Sequence, residues 1–131
     1  MKHAADRWVL DASALLALAN QEQGSERVFR VLPGAAISAV NASETAAALA
    51  RRGAPISDVQ RLIKSLELEI VAFDEALAWR TAALRLQTHG VLLSLADRAC
   101  LATAEMLGAS VLTADREWRK LRGKIPIELI R

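Results

Sequence analysis

The sequence predicts an α/β fold in which a short, mostly parallel central sheet is covered on both faces by helices. Three observations predict it. Short apolar segments of a few residues recur between longer segments of helical character. Most of these segments are apolar throughout, as strands buried on both faces are. The helical segments are dominated by Ala and Leu, and the chain has no Tyr, so the interior is aliphatic. The chain has 131 residues, 53% of them hydrophobic, which suits one domain over residues 1–131 and is too apolar for disorder.

The elements follow in order. Trp8-Val9-Leu10 is a strand ending in Asp11, after which Ser13 is placed to cap a helix through about Asn20. A second helix covers Ser25 to Leu32 and stops at Pro33-Gly34. Ala35-Ala36-Ile37-Ser38 reads as a buried strand, followed by an Ala-rich helix from Ala39 to Arg52 that Gly53 ends. Ser57-x-x-Gln60 has the form of a capping box for a helix reaching Leu66. Leu68-Glu69-Ile70-Val71 is the third strand, and Asp74 caps a helix that reaches His89 and stops at Gly90. A further helix spans Leu95 to Leu107 and ends at Gly108. Ser110-Val111-Leu112-Thr113 is the fourth strand. A short helix over Asp115 to Leu121 and a strand over Ile125 to Ile130 complete the chain, with Pro126 marking that strand as an edge.

Composition narrows the function classes. No uncharged stretch approaches the roughly 18–20 apolar residues of a membrane span. The residues from Met1 to Arg7 do not read as a signal peptide, and a cytoplasmic protein is expected. A lone Cys100 offers no internal disulfide, and in its apolar helix it reads as a core residue. With only His3 and His89 beside it, a zinc site is not expected, so a metal here would be held by oxygen. The formal charge of +2 says little by itself. The basic residues nevertheless cluster at Arg51-Arg52, at Arg61 with Lys64, and at Arg116, Arg119, Lys120, Arg122 and Lys124. A basic rim around an acidic pocket is what a phosphodiester enzyme needs.

Of the fifteen acidic residues, most fall at helix starts or on polar faces. Asp11, Glu44, Asp97 and Asp115 are different: each lies at or just beyond a strand end, or on the helix that follows. Ligands of parallel sheets bind at that edge. Each acid also has a structural reading as a cap: Asp11 and Asp115 alone, Glu44 through Asn41-x-x-Glu44, Asp97 through Ser94-x-x-Asp97. Four such acids on one sheet edge repel unless cations sit among them. Oxygen-only ligands select hard cations, Mg²⁺ or Mn²⁺, and such ions support phosphodiester hydrolysis.

The chain resembles PIN-domain ribonucleases of the VapC toxin type. The matching segments are Val9-Leu10-Asp11-Ala12-Ser13-Ala14-Leu15-Leu16 and Ser38-Ala39-Val40-Asn41-Ala42-Ser43-Glu44. Two more are Leu93-Ser94-Leu95-Ala96-Asp97-Arg98-Ala99-Cys100-Leu101-Ala102 and Val111-Leu112-Thr113-Ala114-Asp115-Arg116. Ala96 departs from the pattern, where such proteins often have Gly. The resemblance implies a PIN-like three-layer α/β/α fold, a Mg²⁺-dependent endoribonuclease, a homodimer, and a cognate antitoxin that blocks the site. It implies Asp11 and Asp97 as principal metal ligands, Asp115 as a further one, and Glu44 orienting or ligating through water. Ser13, Asn41 and Thr113 match supporting polar positions. Arg98 and Arg116 each follow a site acid and are candidate contacts to substrate phosphate. Trp118 is expected in the core rather than stacked on a base, and Trp8 and Trp79 in packing. A nuclease of RNA maturation, or a PIN-like module that binds without catalysis, are the alternatives the resemblance leaves open.

Overall fold

The computed structural model describes residues 7–88, 90–121 and 123–131, with Gln87 described by its backbone alone. Its strands are β1 (Trp8–Leu10), β2 (Ala36–Ser38), β3 (Glu69–Val71), β4 (Ser110–Thr113) and β5 (Ile127–Leu129). Its helices are α1 (Ala12–Ala19), α2 (Ser25–Val31), α3 (Ala39–Arg51), α4 (Ile56–Ser65), α5 (Glu75–Gln87) and α6 (Leu95–Leu107). The short helix after β4, over Arg116–Lys120, is a 3-10 helix. The strand order is β3-β2-β1-β4-β5, and every pairing is parallel.

Successive side chains on a strand point to opposite faces, and each central strand splits accordingly. Val9, Ala36 and Val111 pack with Leu77, Leu84, Cys100, Leu101 and Trp118, under α5 and α6. Leu10, Ile37 and Leu112 pack on the other face with Leu15, Val28, Leu49, Val59 and Ile63, under α1 to α4. The result is a three-layer α/β/α arrangement with a core on each side of the sheet.

Several local expectations are corrected. Asp11, not Ser13, caps α1: its backbone is extended (φ −87°, ψ 176°) and its side chain accepts from the Ala14 N–H. Ser13 lies inside the first turn. Helix α4 has Pro55 at its N-cap and no side-chain cap bond, so Ser57 and Gln60 form no capping box. Burial of Val59 and Ile63 holds that helix instead. Asn41-x-x-Glu44 is not the cap of α3 either, since Ser38 fills that place and accepts from the Val40 N–H. Trp79, expected in packing, is 66% exposed, with its indole N–H donating to Glu75. Helix α5 ends at Gln87, short of the expected end at His89, which lies outside the described residues. Pro126 stands just before β5, which is an edge strand as expected, and its carbonyl accepts from the Val111 N–H.

Candidate active site

Strand β1 lies in the middle of the sheet. From β1 the chain moves outward through β2 and β3, then crosses back to β4 and β5 on the other side. The crevice outside the carboxyl ends of the neighbouring strands β1 and β4 is therefore the topological switch point where ligands of such sheets bind. Leu10 pairs with Ile37 and with Leu112, so the next residues, Asp11, Ser38 and Thr113, emerge level at this edge.

Asp11 is 5% exposed and surrounded by donors. Its Oδ1 accepts from the Ser13 hydroxyl at 2.7 Å and the Ala14 N–H at 2.9 Å. Its Oδ2 accepts from the Thr113 hydroxyl at 2.6 Å. Each hydroxyl in turn accepts from the loop after β4: Ser13 Oγ from the Ala114 N–H at 2.9 Å, Thr113 Oγ1 from the Asp115 N–H at 3.0 Å. The two hydroxyls thus clamp both oxygens of Asp11 and tie them to the backbone that carries Asp115.

Burial pushes the Asp11 carboxyl up to about 6; its three hydrogen bonds oppose the shift, and the charge of Asp97 adds to it. Asp97 sits in the first turn of α6, where Ser94 and Asp97 form a reciprocal capping box: Asp97 Oδ2 accepts from the Ser94 N–H at 3.1 Å. Glu44 is exposed on α3 and its Oε1 accepts from the Asn41 side-chain N–H at 3.2 Å. Asp115 caps the 3-10 helix through the Glu117 N–H. Cys100, one turn beyond Asp97 on α6, lies beneath the group. Burial pushes its thiol well above the usual range, and Asp11, Asp97 and Glu44 all push it further. Its i+3 spacing from Asp97 is the sequence signal for this, which treating Cys100 as core alone passes over.

The four sequence-selected acids are thus brought to one edge, and three of them also act as caps or stand beside one. As placed, no three acids among the described residues form a closed cation cage. Their chemistry still fits a hard divalent ion. The donors are all oxygen, and Asp97 and Asp115 each spend one carboxylate oxygen on their caps and have no bond from described residues to the other. Asp11 Oδ2 accepts one bond and retains a lone pair.

The sequence matches the model of the PIN domain over residues 8–124. The chain belongs to the PIN domain family. No curated protein matches the sequence. Among solved structures, this PIN domain is similar to the toxin–antitoxin complex from Klebsiella pneumoniae, with a TM-score of 0.73 and 21% identity over 94% of this chain and 97% of that one. It is similar to DNA-bound VapBC from Salmonella typhimurium, with a TM-score of 0.74 and 20% identity over 95% and 98%. It is also similar to VapC20 of Mycobacterium tuberculosis, a sarcin-ricin loop cleaving toxin, with a TM-score of 0.66 and 16% identity over 91% and 99%. These likenesses show the fold.

Three further residues singled out in the sequence, Arg98, Arg116 and Trp118, take different positions in this PIN domain. Arg98 is engaged with α5 through part of its guanidinium. Its Nη1 donates to the Thr81 carbonyl of α5 at 3.0 Å, and its Nε is buried without a partner among the described residues. Arg116 is exposed at the start of the 3-10 helix beside Asp115. Trp118 is 1% exposed and belongs to the core, so it offers no stacking face. Of the basic clusters, Arg61 pairs with Asp58 and Lys120 with Glu117, so part of that rim is already matched; Arg122 lies outside the described residues.

Proposed function

We propose that this PIN domain is a metal-dependent endoribonuclease, the toxin of a VapBC-type toxin–antitoxin pair acting in the cytoplasm. The observation that carries the reading is Asp11, 5% exposed at the switch point with both carboxylate oxygens held by the Ser13 and Thr113 hydroxyls, and with Asp97 near enough for its charge to act on it. A cation held there would compensate the negative charge that burial disfavours on Asp11.

Asp11, Asp97 and Asp115 are the residues that would hold the ion, Mg²⁺ or Mn²⁺. The chemistry it supplies is activation of water and neutralisation of charge on the scissile phosphate. The chain's own residues do the rest. The Ser13 and Thr113 hydroxyls fix both oxygens of Asp11, so that carboxylate needs no reorganisation when it engages. The caps at Ser94 and Glu117 orient Asp97 and Asp115. Glu44 is exposed at the mouth and orients or ligates through water. Arg116, exposed beside Asp115, is a candidate for a phosphate contact.

RNA as substrate is supported by the sarcin-ricin loop cleaving toxin among the similar structures. An antitoxin partner is supported by the Klebsiella and Salmonella structures, which are toxin–antitoxin complexes. A homodimer is supported by Trp79 and Leu86, two turns apart on α5 and 66% and 72% exposed, which offer an apolar face to a second copy. Among the described residues no helix is long and apolar enough to cross a membrane. The test is cleavage of a labelled RNA with Mg²⁺, with excess EDTA, and after Mg²⁺ is restored. Cleavage, its loss and its recovery are expected; cleavage at an unchanged rate in EDTA contradicts the proposal.

A further inference from the structure

We propose that Asn41 is a positioning residue that ties the Glu44 carboxylate of α3 to the first turn of α6 and so fixes where Glu44 stands relative to Asp97. This rests on the ribonuclease reading above. Asn41 is the third residue of α3 and is 1% exposed. Asn is a poor choice inside a helix, because its amide competes with the backbone. A buried amide also needs partners. Both protons of Nδ2 have one: Glu44 Oε1 at 3.2 Å and the Ala96 carbonyl at 3.2 Å. Both neighbours only accept, so the amide can face them only with its nitrogen.

Ala96 immediately precedes Asp97, whose carboxylate is held in the same turn by the Ser94 N–H. One short neutral group therefore spans two helices and touches the turns that carry two of the four acids. Its own backbone is pinned by the Thr45 hydroxyl, which donates to the Asn41 carbonyl at 2.9 Å. Glu44 is exposed and long, and Asn41 is its hydrogen-bond partner among the described residues. Without that contact its rotamers are free.

Packing does not account for Asn at this position. Its Oδ1 is buried with no partner among the described residues, a cost that an apolar residue of the same size avoids. A neutral donor is also what this edge can accept. Lys or Arg would neutralise Glu44 and compete with a cation, and Asp would repel it.

Asn41→Leu tests the assignment, because Leu is nearly isosteric, favours the helix and donates nothing. Binding of Mn²⁺ to the full chain without RNA is followed by the electron paramagnetic resonance of the free ion, beside thermal unfolding. Positioning predicts Mn²⁺ affinity about tenfold weaker, as for other residues that orient metal ligands, with the midpoint unchanged or raised. It also predicts that Asn41→Leu with Glu44→Gln loses less affinity than the product of the single losses, since one residue acts through the other. Unchanged Mn²⁺ affinity in Asn41→Leu overturns the proposal, as does a lowered midpoint alone or losses that multiply. If Leu does not pack, Asn41→Ser, which keeps one donor, is expected to weaken Mn²⁺ severalfold, and parental affinity there overturns the proposal equally. A parental chain that neither binds Mn²⁺ nor cleaves RNA removes the ribonuclease reading and this one with it. A parental chain that does both, beside a variant that binds equally well, removes only this one.

Discussion

At the scale of single residues, Asp11 is the group whose chemistry and stability pull apart. In the metal-free protein its folded carboxyl titrates near 6, against about 4 in an unfolded chain. Between those values the native state holds a proton that the unfolded state has released, so stability from this group falls as pH rises through that window. Above it the loss is about 3 kcal/mol. In chelator, Asp11→Asn should remove this slope and raise the midpoint at pH 7, whereas Mg²⁺ should raise the midpoint of the parental chain. Thermal unfolding at pH 5 and pH 7 checks this, and identical pH slopes in the two proteins speak against it. The substitution is accommodated because an Asn Oδ1 still accepts from Ser13 and Ala14, and its Nδ2 can donate to Thr113 once that hydroxyl turns. The place of Asp11 was legible in the sequence, because an acid ending an apolar strand is conspicuous. Its burial and its hydroxyl clamp were not, since Thr113 is 102 residues away in sequence and meets it only through strand pairing.

At the scale of elements, the final strand is fastened to the first helices by contacts that no local pattern announces. Arg27 of α2 donates from Nε and Nη2 to Glu128 of β5 at 2.5 and 3.0 Å, and its guanidinium lies 5.0 Å from the centre of the Trp8 ring. Gly24, at the N-cap of α2, has φ +94°, and a Cβ there would stand 2.7 Å from the Ile130 carbonyl oxygen. Gly24→Ala therefore combines left-handed strain with an overlap against backbone. It should cost about 2–4 kcal/mol, lowering the midpoint by on the order of 10 °C. A variant that melts with the parental chain would show that this corner yields freely. The order of strands and helices was legible because short apolar runs alternate with Ala- and Leu-rich segments closed by Gly53, Gly90 and Gly108. The caps of α1 and α4 were not, since a cap depends on which residue takes extended backbone, and Ser13 and Ser57 both sit two places too late. Trp79 misled because an aromatic in an amphipathic helix reads as core, while here Leu77 and Leu84 fill that side of α5.

At the scale of the whole molecule, parallel topology gathers residues far apart in the chain at one crevice. That is why the four acids could be selected from sequence once the strands were placed, by the rule that ligands gather at the carboxyl edge. The same rule could not show that Asp97 and Asp115 each lend one oxygen to a cap, nor that Arg98 turns into the α5–α6 seam, because those are side-chain choices. Cys100 reports on the assembled crevice from below. It is fully buried, and its thiol is held well above the usual range, so the native protein should not react with a thiol reagent until it unfolds. Rapid labelling without loss of structure contradicts that placement. The central claim, that these acids serve chemistry beyond folding, is tested most directly by RNA cleavage with Asp97→Asn beside Asp74→Asn. Both substitutions replace a helix-capping Asp with a residue that still accepts the same bonds, but only Asp97 lies in the crevice. Asp97→Asn is predicted to abolish cleavage with its midpoint unchanged or raised, and Asp74→Asn to cleave as the parental chain does. Cleavage by Asp97→Asn at the parental rate, or loss of activity only through unfolding, would make Asp97 a structural residue and contradict the account.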